Sequence, residues 1–156
     1  MKEKILISSC LLGSPVRYDG NSKPIYSNII NLWQQQNCLV TICPEMSGGL
    51  PVPRPAAEKQ PDGRIITIRG QDVSAQFHQG AQNALALCQQ HQIKMAILKQ
   101  FSPSCGSQQI YNGSFNGTKI TGMGITAELL QQHNIKVFCE LTLEQAALYY
   151  QKLKSH

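Results

Sequence analysis

The sequence predicts an α/β fold: a single doubly wound, mostly parallel, Rossmann-like sheet with helices on both faces and long loops at the carboxyl ends of the strands. Three observations predict it. Short apolar runs alternate with stretches of helical periodicity along the chain, the pattern of a parallel sheet with crossover helices. Such crossovers are right-handed, which leaves few topologies, and the simplest for four strands is the spatial order 2-1-3-4. Finally, 156 residues with 42% apolar content suit one core, so 1–156 reads as one domain.

Each element follows in order. Residues 3–9 (EKILISS) are an apolar run broken by Leu12-Gly13-Ser14-Pro15, a strand entering a loop. Residues 26–36 read as a helix with Ile29, Ile30 and Trp33 on one face, and 38–42 (CLVTI) as a second buried strand ending at Cys43-Pro44. The Gly- and Pro-rich stretch 44–63 reads as a loop of a length uncommon in compact domains unless it has a task. A short edge strand is expected at 64–68 (RIITI), then a helix over 72–91 with Ala81, Ala84, Leu85 and Cys88 at core spacing. Residues 94–98 (KMAIL) make the third main strand, and 99–121, with Pro103, Gly106, Gly113 and Gly117, a second long loop. A helix at 125–133, a strand at 135–139 and a helix at 143–154 complete the chain, and Thr142 with Gln145 reads as a capping box.

Fourteen Lys and Arg against nine Asp and Glu give a formal charge of +5, scattered with no run of four or more basic residues. A groove for long nucleic acid would show a denser basic stripe, whereas a small anionic substrate fits the excess. Ile5-Leu6-Ile7 is too short for a signal-peptide core and no stretch has the apolar length to cross a bilayer, so a cytosolic protein is expected. The four histidines, His78, His91, His133 and His156, are expected at the surface.

Six cysteines in a reducing compartment point to metal binding, catalysis or core packing rather than disulfides. In doubly wound sheets ligands bind beyond the carboxyl ends of the strands, where the winding reverses. That edge receives Cys10 after the first strand, Cys43 at the end of the second, and Cys105 in the loop after the third. Cys38 starts its strand and belongs to the opposite edge. Cys88 lies on a buried helical stripe, where a thiol acts as a small hydrophobe, and Cys139 ends the marginal strand. The sequence lacks the paired CxxC knuckles of a structural zinc site. Three thiolates on a 4Fe-4S cluster would leave one iron open, a Lewis acid with affinity for sulfur. A cysteine nucleophile with two bystander thiols gives the same pattern, so spacing leaves both open.

Ile7-Ser8-Ser9-Cys10-Leu11-Leu12-Gly13, followed by Val16-Arg17-Tyr18-Asp19-Gly20, resembles the opening motif of the thiouracil desulfidase family. Cys43-Pro44-Glu45 with Gly48-Gly49-Leu50-Pro51 and Pro53-Arg54-Pro55 is similar to its second motif, with Ala56 where a second proline is expected. Ser102-Pro103-Ser104-Cys105-Gly106 with Ile110-Tyr111 and Gly113-Ser114-Phe115 is similar to the third, and Gly122-Met123-Gly124-Ile125-Thr126 to the fourth. The resemblance spans essentially the whole chain. It implies a 4Fe-4S cluster on Cys10, Cys43 and Cys105 with one open iron. It also implies redox-neutral removal of sulfur, as hydrosulfide, from thiolated uracil or thiouridine nucleotides. The partner is then a small thiolated base or nucleotide. The alternatives are a non-catalytic iron–sulfur or metal-binding protein, a cysteine-nucleophile hydrolase, and a small nucleotide-binding module of flavodoxin-like shape.

Family resemblance also supports Glu45, two residues beyond a cluster ligand, as a general acid/base; bonding to loop N–H groups is its structural alternative. Ser102 is expected as a second catalytic or substrate-binding group, or as a turn-forming hydroxyl before Pro103. Arg17, Tyr18, Ser104 and Arg54 are the remaining substrate-binding candidates. An Arg grips a phosphate or carboxylate bidentately, although an Arg17–Asp19 pair stapling the loop explains the same residues, and Ser104 also has a structural reading. Residues 122–126 precede a helix whose first N–H groups suit an anion, or simply start that helix.

Overall fold

The computed structural model describes residues 3–14, 17–20 and 26–155; Val16 of the first motif and His156 lie outside them. In chain order the elements begin with β1 (Ile5–Ser8), a 3-10 turn (Ser9–Leu12), α1 (Asn28–Gln35), β2 (Leu39–Ile42) and α2 (Pro44–Ser47). There follow β3 (Ala57–Lys59), β4 (Ile65–Thr67), α3 (Ser74–His91), β5 (Met95–Ile97), β6 (Gln109–Tyr111) and β7 (Lys119–Thr121). The chain closes with α4 (Ile125–Gln132), β8 (Lys136–Phe138) and α5 (Leu143–Lys154).

Four strands form one sheet in the order β2-β1-β5-β8, the 2-1-3-4 arrangement expected, and every pair is parallel. Alternation along each strand divides the core in two. Leu6, Ala96 and Val137 pack with Ala84, Leu85 and Cys88 of α3 and Ala127 and Leu130 of α4. Ile5, Ile7, Met95, Ile97 and Phe138 face the other way, against Ile30 and Trp33 of α1 and Ala146 and Tyr150 of α5. Both faces are covered, which is why the strands read as continuous apolar runs. Ile5, Leu6 and Ile7 are wholly buried, each contributing about 1.5–3 kcal/mol.

The two stretches expected as loops carry further structure. Residues 44–63 hold α2 and β3, which pairs antiparallel with β4, and 99–121 hold the antiparallel β6–β7 hairpin. α1 starts where Ser27 Oγ accepts the Ile29 N–H at 3.1 Å. The capping box expected at Thr142 does not form: its Oγ1 instead accepts the Cys139 N–H at 3.0 Å and donates to the Cys139 carbonyl at 3.3 Å. That turns the hydroxyl back onto the β8–α5 connection.

Two glycines set where the second motif stands. A Cβ on Gly80 of α3 would overlap the Pro44 carbonyl, and one on Gly48 would overlap the Gln76 carbonyl. α2 therefore lies directly on the α3 backbone, which fixes Cys43-Pro44-Glu45 beside the end of β1. His78 and His133 are exposed and His91 is half-buried. Among the described residues no helix is long and apolar enough to cross a membrane.

Candidate active site

The carboxyl ends of β2, β1 and β5 open into a cavity of about 610 Å³, within the usual range for small-molecule sites. Cys10, Cys43 and Cys105 all line it. Cys10 sits on the 3-10 turn after β1, Cys43 immediately before α2, and Cys105 in the tight loop after β5. The other thiols lie elsewhere. Cys38 donates to the Trp33 carbonyl, Cys88 is in the core, and Cys139 receives Gln100 Nε2 at 3.3 Å.

Burial pushes the Cys10 thiol up to about 11; the Cys43 charge adds to this, while Lys99 and Arg17 oppose it. Burial likewise pushes Cys105 up to about 12, against a hydrogen bond from the Ser8 hydroxyl at 3.6 Å. Cys43 is also raised by burial, and the N–H groups of Met46 and Glu45 pull it back. At these values the metal-free Cys10 and Cys105 thiols are protonated at neutral pH and make poor nucleophiles. Binding iron would displace their protons.

Among the described residues no group of three or more His, Cys, Asp or Glu is arranged to hold a metal ion. The donor set nevertheless suits iron–sulfur ligation: Cys10, Cys43 and Cys105 put three soft thiols on the lining of one cavity and would hold such a group.

Glu45, in the first turn of α2, also lines the cavity. Arg54 Nη2 lies 3.1 Å from its Oε2, and Arg54 Nη1 donates to the Pro51 carbonyl at 3.1 Å. The Arg54 side chain is 4% exposed against 20% for Glu45, so the guanidinium stands behind the carboxylate rather than on the cavity wall. Burial raises the Glu45 pKa above the ordinary carboxylate range even against Arg54 and Arg17.

Ser102 lines the cavity, and its Oγ accepts the N–H groups of Ser104 at 3.0 Å and Cys105 at 3.1 Å. It is thus a turn-forming hydroxyl, and those bonds leave its proton available. Ser104 is wholly buried, with its Oγ 2.8 Å from Thr126 Oγ1, which puts it behind the wall. Arg17 and Tyr18 line the cavity; Arg17 Nη1 is 3.8 Å from Asp19 Oδ2, and its guanidinium lies 5.8 Å from the Tyr18 ring centroid. The first N–H groups of α4 are not left for an anion. Ile125 donates to Pro103, and Thr126 and Ala127 to Ser104, so this helix start clamps the Cys105 loop. Gly124 admits that approach, since a Cβ there would meet the Ser104 carbonyl at about 2.5 Å.

With this geometry in hand, comparison with known proteins decides the family. The family model described as 2-thiouracil desulfurase matches residues 5–142. The chain belongs to that family. It is similar to the uncharacterized protein YbbK of Bacillus subtilis (strain 168), 40% identical over 145 residues that cover 87% of this chain and 95% of YbbK. It is also similar to a solved structure of TudS, a 4Fe-4S-dependent thiouracil desulfidase. That likeness has a TM-score of 0.94 and 49% identity, over 96% of this chain and 99% of TudS.

Sequence reasoning missed several residues of this family member's site. Lys99 lines the cavity; its Nζ is 2.7 Å from Glu140 Oε2 and donates to the Gln100 carbonyl. Gln100 and Glu58 are buried at the wall and collect backbone N–H groups of the loops around it. Lys99 and Gln100 follow the third strand directly, so the edge rule that singled out the cysteines could have found them. Glu58 carries no signal, because its three-residue strand is too short to show a period.

Proposed function

We propose that this protein is a 4Fe-4S-dependent desulfidase that removes sulfur, as hydrosulfide, from thiolated uracil or thiouridine nucleotides without net redox change. The convergence of Cys10, Cys43 and Cys105 with Glu45 on one cavity carries the reading. The 49% identity to a 4Fe-4S-dependent thiouracil desulfidase supports it. Cys10, Cys43 and Cys105 are the residues that would hold the cluster. When bound, the cluster supplies an iron with an open position, a Lewis acid toward a thiocarbonyl.

The chain's own residues do the rest. Water oxygen replaces sulfur at one carbon: a C–O bond forms, a C–S bond breaks, and hydrosulfide and a proton are released. No electron enters or leaves the protein. Glu45 takes the proton of the attacking water and returns it to the ring or the leaving sulfur, a task suited to a carboxyl whose affinity for a proton burial has raised. Arg54 holds that carboxylate from behind. Ser102, its oxygen fixed by two amides, donates its proton to a substrate heteroatom. Arg17 and Tyr18, at the wall, hold the polar edge or phosphate of the substrate. Ser104 acts through Thr126, holding the Cys105 loop in place.

The raised thiols count against a metal-free cysteine nucleophile. All six cysteines are free, which supports a reducing, cytosolic setting. Anaerobic reconstitution followed by sulfide and product analysis with 2-thiouracil and 4-thiouridine monophosphate tests the proposal. Uracil or uridine monophosphate should appear in step with sulfide. Fully loaded protein that frees no sulfide from any thiolated base rejects it.

A further inference from the structure

Five residues other than glycine adopt a positive φ among the described residues. Asn37, Gln92 and Asn134 follow α1, α3 and α4, where a left-handed residue closes the final turn. The other two are Phe101, at φ 74°, and Phe115, at φ 57°. Both line the cavity. A bulky side chain is disfavoured in that region, and such residues persist only where the surroundings over-determine them.

Here they do. Gln100 Oε1 accepts the N–H groups of Phe101 at 3.4 Å, Ser107 at 3.2 Å, Gln108 at 3.1 Å and Gln109 at 3.2 Å. Glu58 Oε1 accepts the N–H groups of Gly113 at 2.9 Å and Phe115 at 3.2 Å. Two buried side chains therefore enforce two unfavourable aromatic conformations. Both residues are half-buried, and the Phe101 ring lies 6.4 Å from that of Tyr111, which also lines the cavity. Two ammonium groups lie at the Phe101 ring, Lys119 Nζ 3.7 Å and Lys99 Nζ 5.4 Å from its centroid, so the ring already serves as a π surface. Lys119 is exposed, so its ammonium can leave the face it covers.

We infer that Phe101 and Phe115 are the aromatic wall on which the planar pyrimidine ring of the substrate stacks, presented to the cavity by backbone that Gln100 and Glu58 hold. The inference rests on the desulfidase reading and names how that site grips its ring. Stacking on an aromatic face rewards planarity and tolerates changes at the ring edge. The site then accepts several thiolated pyrimidines and rejects saturated, puckered analogues.

The test titrates uracil, the unreactive product, into cluster-loaded protein. Phe101→Gly and Phe115→Gly install the residue that the local φ favours, so melting temperature and iron content should hold. Phe101→Leu, which keeps apolar bulk without a π face, is the second variant. In all three the uracil Kd should rise about 5- to 100-fold, the range for loss of one stacked ring. The preference for uracil over 5,6-dihydrouracil should shrink with it, and Phe101→Tyr should keep both. Unchanged uracil affinity and preference in these variants, in protein whose wild type releases sulfide, overturns the aromatic wall and leaves the desulfidase reading standing. Loaded wild-type protein that releases no sulfide and binds no pyrimidine overturns the underlying reading, and the wall with it.

Discussion

Arg54 Nη2 stands 3.1 Å from Glu45 Oε2, and the guanidinium is almost wholly enclosed while the carboxylate reaches the cavity. A buried cation thus offsets part of the desolvation that raises Glu45. The pair balances two opposed effects on one proton.

Removing the cation tips that balance. In Arg54→Met, burial acts on Glu45 without its main opponent, so the carboxyl pKa climbs further. A base is active when deprotonated, so the acid limb of the kcat/KM profile of the loaded enzyme should move up by roughly 1–3 pH units. A limb that stays in place takes Glu45 out of the proton transfer.

Glu45→Gln keeps the shape of the side chain and removes the proton acceptor. Turnover should fall by roughly 10²- to 10⁴-fold while iron content is retained. Equal loss of iron and activity would make Glu45 part of the cluster's support rather than of the chemistry.

Gly80→Ala places a methyl group against the Pro44 carbonyl. α2 must shift or the helix pair must separate, at a cost of roughly 1–3 kcal/mol in a denaturant titration. Because Cys43 and Glu45 ride on that turn, iron loading should fall as well. A variant with wild-type stability and loading would show that the α2–α3 contact does not position the second motif.

Thiol burial makes the metal-free protein sensitive to base. Unfolded cysteine titrates near 8.5, whereas Cys10 is held at about 11 and Cys88 and Cys105 at about 12 in the fold. Since the folded values are the higher ones, this stability is fully present below about pH 8.5 and is lost as pH rises through the folded values. The denaturation midpoint of the metal-free protein should therefore drop from about pH 8.5 upward. Cys88→Ala should flatten the drop. The cluster-loaded protein should lack the share of Cys10 and Cys105, whose protons are already gone.

The sheet and the three thiols were legible because a parallel strand buried on both faces is a continuous apolar run, and its carboxyl end names the functional edge. Cys10, Cys43 and Cys105 could be sorted from Cys38 by which end of a strand each occupies. β3, β6 and β7 were not legible. Ala57-Glu58-Lys59 and Lys119-Ile120-Thr121 are three residues long, too short for a period, and are held by pairing to a neighbour. Glu58 escaped for a related reason: it collects the N–H groups of Gly113 and Phe115, 55 and 57 positions away, which no local spacing announces. Thr142 carried a capping signal that the fold spends on Cys139, whose N–H its hydroxyl accepts in place of one from its own helix.

The proposal assigns one iron–sulfur centre to Cys10, Cys43 and Cys105 and leaves the other three cysteines out of it. Iron content and the visible sulfur-to-iron absorbance, measured after anaerobic reconstitution of single-cysteine variants, test it most directly. About four irons per chain are expected in the wild type. Cys10→Ser, Cys43→Ser and Cys105→Ser should each lose most of the iron and the colour, while Cys38→Ala and Cys88→Ala keep both. Full loading in any of the first three, or equal loss in the last two, contradicts the account.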